Sequence, residues 1–251
     1  AIGVEAADQA VAVREIARGV AHRLGSRASF TPILRPDAVG NGVHVHFSLF
    51  DAATGAPVNH DAAKPDGISA RIAGFLCGIL AHMPAITAVT AAATISYLRL
   101  TPNRWSAAYN NLGHRDREAG LRICPLFGGP DAVPRQFHFE YRAADAAASP
   151  YLVLGAVMAA GRAGLDAGLC APKVCPKAPQ NLTDAERREL DIERLPQSLD
   201  AALDRFEADT ALADSFGPEL KKAYIALKRF EAALVGKLTP EEQCERYRMA
   251  Y

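Results

Sequence analysis

Between Gly40 and Leu49 the chain reads Gly-Asn-Gly-Val-His-Val-His-Phe-Ser-Leu. In an extended strand successive side chains alternate between faces. His44, His46 and Ser48 then share one face, and Val43, Val45, Phe47 and Leu49 the other. Imidazole is a common metal ligand, and imidazoles with a hydroxyl also bind phosphate, so the polar face suits a metal and a phosphate. An edge strand with solvated histidines has the same alternation, and other residues must decide between the two.

A second stretch, Gln136 to Arg142, repeats the design. Phe137, Phe139 and Tyr141 face one way, and His138, Glu140 and Arg142 the other. If the two strands are neighbours, His44 and Glu140 can share a divalent cation, and carboxylate with imidazole suits Mn²⁺ or Mg²⁺. Two ligands do not complete such a site, so further carboxylates must come from elsewhere. Arg99, Arg115, Arg117, Arg122 and Arg142 supply guanidinium forks suited to carboxylate and phosphate. Metal, arginines and carboxylate together describe phosphoryl transfer, in which catalysis is mostly positioning and charge neutralisation. Spacing alone does not name the acceptor.

The elements that must position these groups can be read in outline. Apolar residues at Val13, Ile16, Ala17, Val20 and Leu24 recur at helical spacing over Asp8–Arg23, with basic residues outward and Gly25 as a stop. Asp51–Asp66 is rich in turn residues. Ile68–His82 is apolar nearly all round and reads as a buried helix ending near Pro84. Ser96–Pro125, dense in Arg, Asn and Gly, fits neither helix nor strand for long and reads as functional loop. Ser149-Pro150 starts a helix through Leu165. The pattern is helical from Ser198, and Thr239-Pro240-Glu241-Glu242 forms a capping box. No internal repeat is visible.

Composition narrows the class. The 251 residues are 49% hydrophobic and 22% charged, enough for one large domain with a sizeable core. Lys+Arg and Asp+Glu balance at 28 each, so no overall field draws nucleic acid or an anionic membrane. No run reads as long and apolar enough to span a bilayer, and no signal peptide opens the chain, so a cytoplasmic protein is expected. Five cysteines lack zinc-type pairing, and the one close pair, Cys170 and Cys175, reads as free thiols in a loop. The chain opens without Met, as a fragment of a longer protein would.

Four motifs in order resemble the glutamine synthetase family. The segment from Val20-Ala21-His22-Arg23 through Ser48-Leu49 resembles the family's helix and its N-G-x-G-x-H-x-H-x-S-L strand. Ser96-Tyr97-x-Arg99-Leu100-x-Pro102 resembles its N-S-Y-x-R-L-x-P element, and Arg117 to Pro125 its N-R-x-A-x-x-R-x-P element. Glu140-x-Arg142-x-x-Asp145 with Ser149-Pro150-Tyr151-Leu152 resembles its E-x-R-x-x-D-x-x-x-N-P-Y-L element. The likeness covers nearly the whole chain.

The resemblance implies an ATP-dependent carbon–nitrogen ligase. Such an enzyme phosphorylates the γ-carboxylate of glutamate and lets ammonia or an amine attack the acyl phosphate. By position, His44 and Glu140 match metal ligands for Mg²⁺ or Mn²⁺. Gly40, Arg99, Arg117 and Arg142 match the glutamate site, with Arg117 and Arg142 in catalytic positions. His46, Ser48, Arg117 and Arg122 match nucleotide contacts. The implied fold is α+β, an antiparallel sheet with a polar concave face backed by helices, residues 1–251 forming the C-terminal portion of the catalytic domain. The family's N-terminal β-grasp domain and upstream metal carboxylates are expected to lie outside this chain, leaving it inactive alone. A ring-shaped homo-oligomer of the full-length protein is implied.

Departures sharpen the substrate. Trp105 stands where glutamine-forming members carry a flap glutamate that takes a proton from ammonium, and Val39 where they carry a substrate-contacting asparagine. Arg135 aligns with a nucleotide-loop lysine and His138 with a nearby arginine. Thr183 stands at a tyrosine that some bacterial members adenylylate, so no such regulation is expected. An aromatic in place of an acid removes a base and adds apolar area, which favours an organic amine over ammonia. Alternatives are an ammonia-using enzyme whose flap acid is Glu118, a non-catalytic relative, and a guanidino-kinase-like phosphotransferase releasing a stable phosphorylated product.

Overall fold

The structure, a computed structural model, describes residues 1–169 and 171–251, the side chains of Ala213 and Asp214 apart. Cys170 of the Cys170–Cys175 pair therefore lies outside the described residues. The helices are α1 (Glu5–Arg23), α2 (Ala70–Thr90), α3 (Ser96–Arg99), α4 (Val133–Gln136), α5 (Pro150–Asp166), α6 (Asp184–Glu189), α7 (Leu199–Ala208), α8 (Thr210–Phe216), α9 (Pro218–Val235) and α10 (Pro240–Ala250). The strands are β1 (Val45–Phe47), β2 (Leu112–His114), β3 (Leu121–Ile123), β4 (Phe139–Tyr141) and β5 (Val174–Cys175).

One sheet of order β1-β4-β3-β2-β5 joins them. The two strands read from the sequence are neighbours, antiparallel, with His46 opposite Glu140 and Phe47 opposite Phe139. β3 extends the row with Arg122 opposite Glu140. Because side chains alternate, His46, Glu140 and Arg122 line one face across three strands, while Phe139, Tyr141, Leu121 and Ile123 enter the core behind it. The expected antiparallel sheet holds for β1, β4 and β3. Beyond them β3, β2 and β5 pair in parallel, making the sheet mixed within the α+β fold.

Helices α2 and α5 form the support behind the sheet. They cross so closely that a Cβ on Gly78 would stand 2.2 Å from the Ala160 carbonyl, and one on Gly164 would stand 2.2 Å from that of Gly74. Only glycine permits this approach. α2 does not stop near Pro84 as expected but runs through it to Thr90. Proline cannot donate to the carbonyl four residues earlier, and here the Asn110 amide donates to the Leu80 carbonyl instead, at 3.1 Å. With Met83 and Ala85 to Thr90 all buried, packing outweighs the proline. By length and composition α2 is apolar enough to cross a bilayer, contrary to the sequence expectation, yet most of it lies inside the core.

Three other expectations change. The apolar stripe of α1 does not face the core, since Val13, Ile16, Val20 and Leu24 are exposed and only Ala7 of the helix is buried. α1 docks by polar contacts: Arg14 donates to the carbonyls of Ala146 and Ala148, and the Tyr151 hydroxyl to Asp8. Gln136 ends α4, so the second strand starts at Phe139. Ser96–Pro125 contains α3, β2 and β3, each too short to give a periodic signal. The expected ends hold. Gly25 has φ +68° after α1, and the Gly25 and Ser26 amides cap the carbonyls of His22 and Ala21. Pro150 opens α5, though the Ser149 side chain makes no capping bond. The capping box at Thr239 forms, as does a second at Thr183.

Candidate functional site

A cleft of about 410 Å³ opens on the polar side of the β1–β4–β3 row, lined among others by Gly40, His44, Arg99, Arg117, Arg122, Glu140 and Arg142. Seven residues singled out from the sequence thus converge. Ser48, His46 and Arg115 do not line it. His46 lies on the outer side of the Glu140 carboxylate, at 3.5 Å, and Arg115 is exposed with φ +58°.

Glu140 is the electrostatic centre. Its carboxylate is 1% exposed; Oε1 lies 2.8 Å from His44 Nδ1 and 2.6 Å from Arg142 Nη1, and Oε2 accepts from Arg122 Nε. Burial alone would push the Glu140 carboxyl up, but His44, His46, Arg142 and Arg122 hold it well below the ordinary carboxylate range. Burial lowers the His44 pKa, the Glu140 hydrogen bond opposing it. A neutral imidazole beside an ionised carboxylate is a donor set fit for Mg²⁺ or Mn²⁺ at two ligand positions.

Arg99 is built into the floor. It stands at the end of α3, 2% exposed, donating to Ser106 Oγ at 2.8 Å and the Ala144 carbonyl at 3.0 Å. Asp145 lies 3.8 Å from it, and burial pushes the Asp145 pKa up against the pull of Arg99. A Cβ on Gly40 would fall 2.1 Å from Arg99 Cγ, so the backbone of the Gly40 turn lies directly on this guanidinium stem. The Nε atoms of Arg99 and Arg142 find no hydrogen-bond partner among the described residues. Arg99, Arg104, Arg117, Arg122 and Arg142 line the cleft against the single carboxylate of Glu140. Such an excess of positive charge suits anionic ligands, carboxylates and phosphates foremost.

The rim is a strained loop. Asn103 and Trp105 have φ +62° and +53°, and a bulky aromatic in that region is held there by its surroundings. Glu118 supplies the hold: its carboxylate accepts from the Asn103 N–H at 3.0 Å, the Trp105 N–H at 3.3 Å and the Gln180 amide at 3.1 Å. The Trp105 carbonyl accepts from Arg142 at 3.1 Å, while its side chain is 68% exposed. Val39, also exposed, lines the cleft as well.

Sequence reasoning missed Arg104, which fastens the rim by donating to the carbonyls of Pro36 and Ala38, and Ser106, which holds Arg99. Neither carries a local signal, since both act through backbone brought close by the fold. It also missed Cys124, whose sulfur lies 3.7 Å from His46 Nδ1. The side chains of Cys124 and Glu140 raise the His46 pKa to about 9.

Comparison with known proteins places these residues in a context. Residues 1–247 match the family described as glutamine synthetase, catalytic domain. The chain is 36% identical over 248 residues to gamma-glutamylpolyamine synthetase GlnA3 of Streptomyces coelicolor, covering 99% of this chain and 52% of that protein. It is 31% identical over 241 residues to a glutamine synthetase of Halobacterium salinarum, covering 96% of this chain and 52% of the relative. A crystal structure described as a novel glutamine synthase homolog superposes with a TM-score of 0.86 at 40% identity, covering 99% of this chain and 55% of that one. The chain thus spans about half the length of the curated relatives it matches.

Proposed function

The chain belongs to the glutamine synthetase family, matched along its catalytic domain, and on that premise we propose that its cleft serves an ATP-dependent ligase joining the γ-carboxylate of glutamate to an organic amine. The observation that carries this reading is the convergence of Gly40, His44, Arg99, Arg117, Arg122, Glu140 and Arg142 on one cleft. Residues 1–251 would form the C-terminal portion of the catalytic domain in a full-length protein that assembles as a ring-shaped homo-oligomer. ATP and glutamate as substrates make the cytoplasm its expected compartment.

The reaction runs in two steps. A γ-carboxylate oxygen of glutamate attacks the terminal phosphorus of ATP, and the bond from that phosphorus to the bridging oxygen breaks, releasing ADP. The amine nitrogen then attacks the acyl carbon, the bond from that carbon to the oxygen it shares with phosphorus breaks so that phosphate leaves with this carboxylate-derived oxygen, and the nitrogen gives up a proton to solvent. Arg99 and Arg142, with the Gly40 backbone, orient glutamate. Arg117, between substrate and nucleotide, offsets charge on the phosphoryl group in flight. Arg122 in the cleft, with His46 and Ser48 outside its lining on the β1 side, binds the nucleotide. Arg99, Arg122 and Arg142 are part-buried or buried and already fixed by Ser106 and Glu140, so little reorganisation accompanies the reaction. His44 and Glu140 would hold a divalent cation, which would supply charge neutralisation on the phosphates.

The choice of amine rests on the rim. Trp105 offers apolar surface where an acid would favour ammonium. Glu118, the alternative flap acid, has its carboxylate engaged by Asn103, Trp105 and Gln180. The name of the GlnA3 relative, a gamma-glutamylpolyamine synthetase, supports an organic amine. The test is ATP-dependent phosphate release by the full-length protein with glutamate and a panel of amines. Turnover with at least one organic amine is expected to exceed that with ammonia, and ammonia outpacing every amine would sink the proposal.

A further inference from the structure

Beside the cleft, the outer end of the polar row carries a second cluster. His46 Nδ1 lies 3.7 Å from Cys124 Sγ and 3.2 Å from His138 Nε2, and the three ligand atoms all fall within 4.8 Å of one another. Around a tetrahedral zinc ion, bonds of about 2.0–2.1 Å to nitrogen and 2.3 Å to sulfur separate neighbouring ligands by roughly 3.3 Å for N···N and 3.6 Å for N···S. Both observed edges are close to these values.

The far nitrogen of each ring faces an oxygen acceptor, an arrangement common in metal-ligating histidines. His138 Nδ1 lies 2.6 Å from the Gln136 carbonyl, and His46 Nε2 faces Glu140 Oε1 at 3.5 Å. With a proton held on each of these outer nitrogens, an ion that displaces the proton from His46 Nδ1 meets the lone pairs of His46 Nδ1 and His138 Nε2 beside the thiol. Carboxylate and carbonyl partners of this kind fix tautomer and ring orientation in metal sites. The rings sit with centroids 5.3 Å apart. Cys124 is buried below them while His46 is half exposed, which gives an entry path from solvent.

We propose that His46, Cys124 and His138 form a binding site for a thiophilic divalent ion of the Zn²⁺ class, with its fourth position open to water or an added ligand. Sulfur separates it from the His44–Glu140 pair, whose oxygen and nitrogen donors suit harder ions. On the ligase reading, an ion here also withdraws His46 from the nucleotide; that consequence rests on the reading, whereas the site does not.

The test uses Co²⁺ as a probe on the metal-stripped full-length protein, without ATP or glutamate, so that its failure leaves the ligase proposal standing. A thiolate-to-cobalt charge-transfer band is expected, saturating at one equivalent, displaced by Zn²⁺ and unaffected by excess Mg²⁺. The band is expected to disappear in Cys124→Ser, to weaken in His138→Gln, and to persist in Cys175→Ala. Absence of the band in the unmodified protein, or its survival in Cys124→Ser, overturns the proposal. Should Cys124→Ser not fold, His138→Gln decides, and unchanged Co²⁺ affinity there overturns it equally.

Discussion

His44 Nδ1 lies 2.8 Å from Glu140 Oε1, a contact made between one side chain just before β1 and another at the centre of β4. Pairing His46 with Glu140 brings His44, two residues earlier, to the same carboxylate from the cleft side, so the two histidines flank a single buried acid. On it also converge Arg122 and Arg142.

That convergence makes Glu140 a structural as well as a chemical centre. Removing one partner of a buried charge network leaves the others uncompensated, which costs about 3–5 kcal/mol. Glu140→Ala is therefore expected to lower unfolding free energy by that amount in urea titrations. A loss of roughly 1 kcal/mol or less, the range of exposed ion pairs, would contradict the buried-network account.

Stability should also depend on pH from both sides. The raised His46 pKa, about 9 against 6.5, contributes stability fully present below pH 6.5 and lost as pH rises through 9. Glu140, with its pKa depressed from 4.5, contributes stability present above that value and lost in acid. His44 is depressed from 6.5 and acts in the same sense as Glu140, its contribution declining as pH falls below 6.5. Urea midpoints measured across pH should be highest near 6.5, and His46→Gln should remove the decline between pH 6.5 and about 9. An alkaline slope unchanged in that variant would contradict the assignment.

Gly40 sets the position of Arg99. Because an added Cβ would stand 2.1 Å from Arg99 Cγ, Gly40→Ala must displace either the turn or the guanidinium. Misplacement of a positioning group by about 1 Å costs on the order of 10²-fold. Steady-state kcat/KM for glutamate in the full-length protein should fall accordingly, while Gly129→Ala, with nothing within 4 Å of its Cβ, should leave it unchanged.

The α2–α5 crossing yields a pair of opposite signs. Gly78→Ala drives a methyl into the Ala160 carbonyl and should destabilise by about 1–3 kcal/mol or more. Gly155, exposed on α5 with open space around it, should stabilise by roughly 0.8–1.0 kcal/mol when changed to Ala. Thermal or urea unfolding of the two variants checks both.

Legibility in the sequence followed the range of each interaction. The two alternating strands, the start of α5 at Pro150 and the box at Thr239 were readable because each is set by residues within a few positions of one another. Alternation alone sorted His44, Glu140 and Arg142 from Phe139 and Tyr141, the arginine cluster added Arg99, Arg117 and Arg122, and the ordered motifs added Gly40; these seven polar-side residues meet at the cleft. What failed was non-local. α2 continues past Pro84 because Asn110 reaches the Leu80 carbonyl. α1 turns Arg14 inward because carbonyls of Ala146 and Ala148 await it. The thiol of Cys124 carried no motif, since its histidine neighbours come from β1 and from the residue before β4.

Oxygen-18 tracing tests the central claim most directly. Glutamate labelled in its γ-carboxylate, incubated with ATP, an organic amine and the full-length protein, should transfer one labelled oxygen to each phosphate released, as an acyl phosphate intermediate requires. Phosphate released without label, or a stable phosphorylated product with no amide formed, would contradict it.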